Sequence, residues 1–130
     1  MKNSKQRNLV LDIINKSHNH PTAYEIYDIA KKQVPNISLG TIYRNLNFLD
    51  EYNFIDHINT NDGIVHYDKI YKKHSHFICN ICNRIYDIDE VVFEKDFING
   101  NKVLNYDLRY FGVCNSCLKK EEIKYGIKRN

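Results

Sequence analysis

Four cysteines fall as two Cys-x-x-Cys pairs, Cys79/Cys82 and Cys114/Cys117, and a His-x-His, His74 and His76, stands just before the first pair. A two-residue gap lets both sulfurs of a pair turn toward one point. Two such pairs can close a tetrahedral four-thiolate site with no open position, which suits a structural zinc ion. A site of this kind would tie the end of the chain to its middle and contribute directly to folding. In a reducing compartment such pairs favour metal or redox chemistry over disulfides. A thioredoxin-like redox motif comes as one pair near a βαβ pattern, whereas two pairs are present here.

His74 and His76 are two apart and share one face of a strand, while Cys79 falls on the opposite face. The imidazoles are thereby separated from the thiolates. Asp68, six before His74, and Asp87, five after Cys82 on a returning strand, can join them. Nitrogen and carboxylate donors together suit iron(II) or manganese(II). Spacing alone leaves a polar, solvated hinge as the alternative. By the same standard His20, before Pro21, reads as an exposed histidine at a helix N-terminus, and His18, His57 and His66 read as surface residues.

These groups need elements to hold them. Leu9, Val10, Ile13 and Ile14 follow helical spacing, with Ser4 as N-cap. After the break at His20-Pro21, Thr22 caps a second helix with apolar positions Tyr24, Ile26, Tyr27, Ile29 and Ala30, ended by Pro35-Asn36. Ser38 caps a third helix over 39–52. Its Leu39, Ile42, Leu46 and Leu49 form one buried stripe. Thr41, Tyr43, Arg44, Asn45 and Asn47 lie on the opposite face. Asn61-Asp62-Gly63 between short β-prone runs predicts a hairpin. Three helices and a hairpin are the pattern of a winged helix-turn-helix.

The rest reads as α+β. Phe77-Ile78 and Ile85-Tyr86 are two short strands joined by a metal knuckle. A helix is expected over 89–98, a strand over 102–111 and a charged helix at the end. Few strands and open edges favour pairing with a second subunit. The fold class is therefore α+β, with a winged-helix domain over 1–68, a hinge over 69–76 and a small dimerisation and metal-binding domain over 77–130.

Thr41, Tyr43, Arg44 and Asn45 are candidates for base and phosphate contacts, since Arg reads guanine edges or phosphates and Tyr can touch thymine methyls. Lys2, Lys5 and Arg7 can reach phosphate or a minor groove. Charge alone does not announce such a role. The net charge is +3, and residues 1–66 carry equal numbers of acidic and basic side chains. That neutrality also suits a zinc-ribbon interaction module without DNA binding. The 130 residues have room for one compact domain or two very small ones. No secretory signal or membrane-length apolar run is visible, so the chain reads as cytoplasmic. With no nucleophile–base pair and no phosphate-cradling glycine loop, it does not read as an enzyme.

Several segments together resemble the ferric uptake regulator (Fur) family over nearly the whole chain. They are Gln6-Arg7, His20 to Ala23, Ser38 to Leu46, Tyr67-Asp68, His74 to Cys79 and Tyr110 to Cys114. The resemblance implies a homodimeric, metal-dependent repressor acting on an AT-rich inverted repeat in double-stranded DNA. The similarity is greatest to the peroxide-sensing (PerR) branch. Its regulatory iron or manganese has three His and two Asp ligands, and His20, Asp68, His74, His76 and Asp87 match those positions. Iron-sensing members usually carry Glu where Asp87 stands. In the peroxide-sensing branch a ligand histidine is oxidised, which makes His20 and His74 the candidates here. An iron- or zinc-responsive uptake regulator of the same fold is the alternative. Departures from the family are a short N-terminus, expected to trim the first helix, and Arg44 where some branch members have Asn. The terminal histidines of many iron-responsive members are also missing, which argues against a third metal site.

Overall fold

The computed structural model describes the backbone of residues 2–70, 75–89, 95–104 and 107–125, with side chains described except at 2–4 and 121–125. The chain divides into two compact units, Met1–Lys72 and Lys73–Asn130.

In the first unit, α1 (Lys2–Lys16), α2 (Ala23–Gln33) and α3 (Leu39–Glu51) precede an antiparallel pair, β1 (Ile55–Asn59) and β2 (Val65–Lys69). Helix α1 begins at Lys2, so Ser4 lies inside it and does not cap it. Helix α2 starts where Thr22 and Glu25 form a reciprocal capping box. This arrangement satisfies two backbone N–H groups that the first turn leaves without helical partners. At α3 the Ser38 hydroxyl accepts from Thr41 N–H at 3.1 Å. The apolar stripes meet in one core in which Val10, Ile26, Ala30, Ile42 and Leu46 are fully buried. Of the apolar positions expected to line α2, Tyr24 and Ile29 are exposed instead, and Ala23 takes their place in the core. Burial of Leu46 fixes a prediction. Leu46→Ala is expected to cost the first unit about 2–5 kcal/mol, read from its denaturant midpoint.

The hairpin forms as its turn residues dictate. Gly63 sits at φ 81°, which suits glycine. The Asp62 carboxylate accepts from Ile64 N–H at 3.1 Å and from the Thr60 hydroxyl. The Thr60 hydroxyl bond in particular holds that carboxyl below its usual range.

The second unit holds a three-stranded sheet in the order β4 (Ile85–Ile88), β3 (Ser75–Cys79), β7 (Arg109–Gly112), with β3 antiparallel to β4 and parallel to β7. A separate pair, β5 (Phe97–Ile98) and β6 (Asn101–Lys102), and helix α4 (Asn115–Tyr125) complete it. Two expectations are corrected here. Residues 97–98 of the helix expected over 89–98 are strand, because Asn99 and Gly100 adopt φ 51° and 80° and fold the chain into a hairpin. Residues 90–94 lie outside the described residues. Of the single strand expected over 102–111, Lys102 closes β6 and residues 109–111 belong to β7, while the described residues 103–104 and 107–108 are not strand and residues 105–106 lie outside the described residues. Lys69 already belongs to β2, and Ser75 and His76 to β3, so strand structure enters both ends of the hinge expected over 69–76. No described helix is long and apolar enough to cross a membrane.

Candidate metal centres and nucleic-acid face

Strand β3 delivers Cys79 and the following turn delivers Cys82. The segment after β7 delivers Cys114, and the first turn of α4 delivers Cys117. All four are free thiols whose sulfurs lie within 4.8 Å of one another. Cys82 Sγ and Cys114 Sγ are 3.9 Å apart. Zinc–sulfur bonds of about 2.3 Å in a tetrahedron set sulfurs about 3.8 Å apart, so the cluster has the dimensions of a zinc site. Cys79 is fully buried, and its sulfur accepts N–H bonds from Ile81, Cys82 and Cys114 at 3.4, 3.5 and 3.4 Å.

The electrostatics of the cluster favour a cation. Burial pushes the Cys79 thiol up, but those N–H groups outweigh it and leave the thiol below its ordinary value. The Cys117 N–H and the Tyr86 hydroxyl pull Cys114 down to about 6. Burial, followed by the neighbouring sulfurs, pushes Cys117 up to about 12. The cluster gives its first proton readily and resists giving the last until positive charge compensates it. Zinc uptake must displace the remaining protons. At pH 7 fewer than four protons are therefore expected per zinc, because Cys114 is already ionised. The number should rise toward four as the pH falls through 6 and Cys114 becomes protonated. Zinc titration in weakly buffered indicator dye measures both.

The nitrogen and oxygen donors form one close pair in each unit. In the first, His20 Nε2 lies 3.6 Å from Asp68 Oδ2, and both side chains are buried. In the second, His76 and Asp87 face each other directly across β3 and β4, with His76 Nε2 3.4 Å from Asp87 Oδ1. Two donors each about 2.1 Å from one cation lie roughly 3.0–3.5 Å apart, so the His76–Asp87 pair is spaced as two ligands of one ion can be, and the His20–Asp68 pair at 3.6 Å stands just beyond that span. His20 is buried, which corrects its reading from spacing as an exposed residue. His74 lies outside the described residues.

On α3, Tyr43 and Arg44 are exposed as expected, but Thr41 and Asn45 are not. Only 9% of Thr41 and 5% of Asn45 is accessible. The Asn45 amide donates to the Thr41 carbonyl at 2.9 Å, and the Thr41 hydroxyl accepts from Arg44 Nη2 at 3.0 Å. Local hydrogen bonds thus turn both polar side chains inward. Thr41 orients Arg44 rather than standing beside it. Arg7 stacks over the Phe48 ring at 3.6 Å. The side chain of Lys2 lies outside the described residues. One residue that the spacing did not single out bears on the site. His66, read as a surface side chain, bonds the backbone of His20.

The sequence model described as the ferric uptake regulator family matches residues 1–110. The chain is 34% identical over 121 residues to the peroxide operon regulator of Bacillus subtilis, covering 89% of this chain and 83% of that protein. It is 33% identical over 122 residues to the peroxide-responsive repressor PerR of Staphylococcus epidermidis, covering 90% and 80%. Among solved structures, the Campylobacter jejuni peroxide stress regulator matches with TM-score 0.73 and 31% identity over 89% of this chain and 91% of that one. The Helicobacter pylori ferric uptake regulator, which has three functional metal-binding sites, matches with TM-score 0.76 and 27% identity over 88% and 83%.

Proposed function

This chain belongs to the ferric uptake regulator family, and from that premise we propose that it is a homodimeric, metal-dependent repressor that senses hydrogen peroxide and controls peroxide-stress genes. The observation that carries the reading is the donor chemistry. Each unit presents a histidine beside an aspartate, and the second carboxylate is Asp87, where iron-sensing members usually have Glu. The same donors in a metal-uptake regulator would respond to metal concentration without oxidation.

Zinc is assigned to Cys79, Cys82, Cys114 and Cys117, as a permanent part of the fold. Iron(II) or manganese(II) is assigned to His20, Asp68, His74, His76 and Asp87. His20 and Asp68 come from the winged-helix half, and the other three from the dimerisation half. Ligands drawn from both halves favour the orientation that fits two operator half-sites, so metal affinity and DNA affinity are linked. Two-fold symmetry makes the operator an inverted repeat.

Iron, when bound, would activate peroxide beside these imidazoles, with peroxide itself as the two-electron oxidant: one of its oxygens would pass to a histidine ring and the other would leave as water. His20 or His74 then gains an oxygen atom on its ring and becomes a poorer donor. The ligand set loosens, the two halves lose their fixed orientation, and the operator is released. Manganese would not support this oxidation, so a repressor holding it at these residues would stay on DNA.

Tyr43 and Arg44 would enter the major groove, with Lys2 reaching the adjacent backbone. Arg44→Ala is expected to weaken operator binding by roughly 1–3 kcal/mol, about 5- to 150-fold. Metal content should be unchanged. Fluorescence anisotropy on labelled inverted repeats, at fixed salt and saturating manganese, checks it. The reading as a whole is tested by the same assay with and without manganese. Equal affinity in the two conditions on every AT-rich inverted repeat would leave the zinc-ribbon interaction module as the better account.

A further inference from the structure

His20 has an unusual backbone. Its φ is 52°, a region that residues other than glycine seldom occupy. It also precedes Pro21, and the residue before a proline is driven toward extended conformations with negative φ. Both preferences are violated at a single position. A conformation of this kind persists only where its surroundings hold it.

Strand β2 provides the hold. Tyr67 N–H donates to the Pro21 carbonyl at 2.9 Å. An isolated antiparallel bridge joins Thr22 to His66. The half-buried His66 ring then places Nδ1 2.8 Å from the His20 carbonyl oxygen. A carbonyl only accepts, so Nδ1 carries the proton and donates. The two backbone links fix Pro21 and Thr22, but only the His66 side chain, among these bonds, grips the strained residue itself. Two residues further along the same strand, Asp68 faces the His20 ring.

We infer that His66 is a positioning residue for the regulatory metal: its Nδ1–H holds the left-handed backbone of His20 so that the His20 imidazole stays beside Asp68. The inference rests on the reading of His20 as a metal ligand. It gives His66 no contact with the metal or with DNA. Groups that orient a ligand histidine typically change metal affinity 10–100-fold when removed, and His66 acts through one backbone bond, so the lower figure applies.

The test is a manganese(II) titration of the zinc-loaded full chain, following the free-ion electron paramagnetic resonance signal. His66→Ala is expected to raise the manganese dissociation constant about tenfold, with zinc content and melting temperature unchanged. His66→Asn, whose amide nitrogen can sit where Nδ1 sits, should return it to within about twofold of the parent. His20→Ala serves as the reference. Weakened binding in His20→Ala but parental binding in His66→Ala would overturn the positioning role and leave the ligand assignment standing. Parental binding in both would overturn the ligand assignment and the positioning role with it. Equal losses in His66→Ala and His66→Asn would show that the ring packs rather than donates, which also overturns the inference.

Discussion

Cys117→Ser is expected to abolish zinc retention and, with it, the folded state of the second unit, while the first unit keeps its helices. The asymmetry follows from where each unit keeps its core. The first buries a continuous apolar cluster running from Val10 to Tyr67. In the second, the described cluster is Cys79, Cys114 and Cys117 themselves, with Phe77 and Tyr86 packed against them. Structural zinc sites contribute apparent free energies of about 10–16 kcal/mol, against a total stability of roughly 5–15 kcal/mol for an ordinary domain. A unit whose centre is four sulfurs cannot absorb the loss of that contribution. Zinc analysis together with amide hydrogen exchange should show full exchange over residues 75–120 and protection retained in α1 to α3. Protection in the second unit without zinc would contradict the assignment of the four cysteines.

His76→Ala should have the opposite profile. Zinc is retained, both units stay folded, and metal-stimulated operator binding is lost. His76 is 3% exposed and stands directly across the sheet from Asp87, whereas Cys79 points to the other face of the strand. The substitution would therefore remove the proposed regulatory donor without touching the thiolates. Removing a group that merely orients a ligand costs 10–100-fold in metal affinity, so removing a ligand is expected to cost more than about 100-fold. A metal shifts a two-state equilibrium only by its differential affinity for the two states. Operator affinity at limiting manganese should therefore fall to the metal-free level. Asp87→Asn should weaken binding in the same direction, and His74→Ala should match His76→Ala. Retained manganese stimulation in His76→Ala would exclude it as a ligand.

What the sequence made legible was chemistry with a short range. Thr22 and Ser38 announce helix starts because capping involves neighbours three residues apart. Gly63 marks a turn because few residues accept its backbone angles. The cysteine pairs disclose one site because their gap leaves few other uses. The failures involve competition between local signals or contacts far along the chain. Phe97-Ile98 continued an apolar pattern that fits a helix, and Asn99-Gly100 overrode it. Thr41 and Asn45 are polar, and polarity on a helix reads as exposure until their bonds to Ser38 and to the Thr41 backbone are seen. His66 touches His20 across 46 positions of sequence. No spacing rule connects them, and only the pairing of β2 with the segment after α1 reveals the contact.

The central claim is that this chain converts peroxide into a covalent change at a ligand histidine. Peptide mass spectrometry tests it most directly, after anaerobic loading with iron(II), a brief low-dose peroxide pulse, and a manganese-loaded control. The account predicts one added oxygen on His20 or His74 with iron and none with manganese. Unmodified histidines alongside intact iron-dependent operator binding would contradict it and make the protein a metal-uptake regulator.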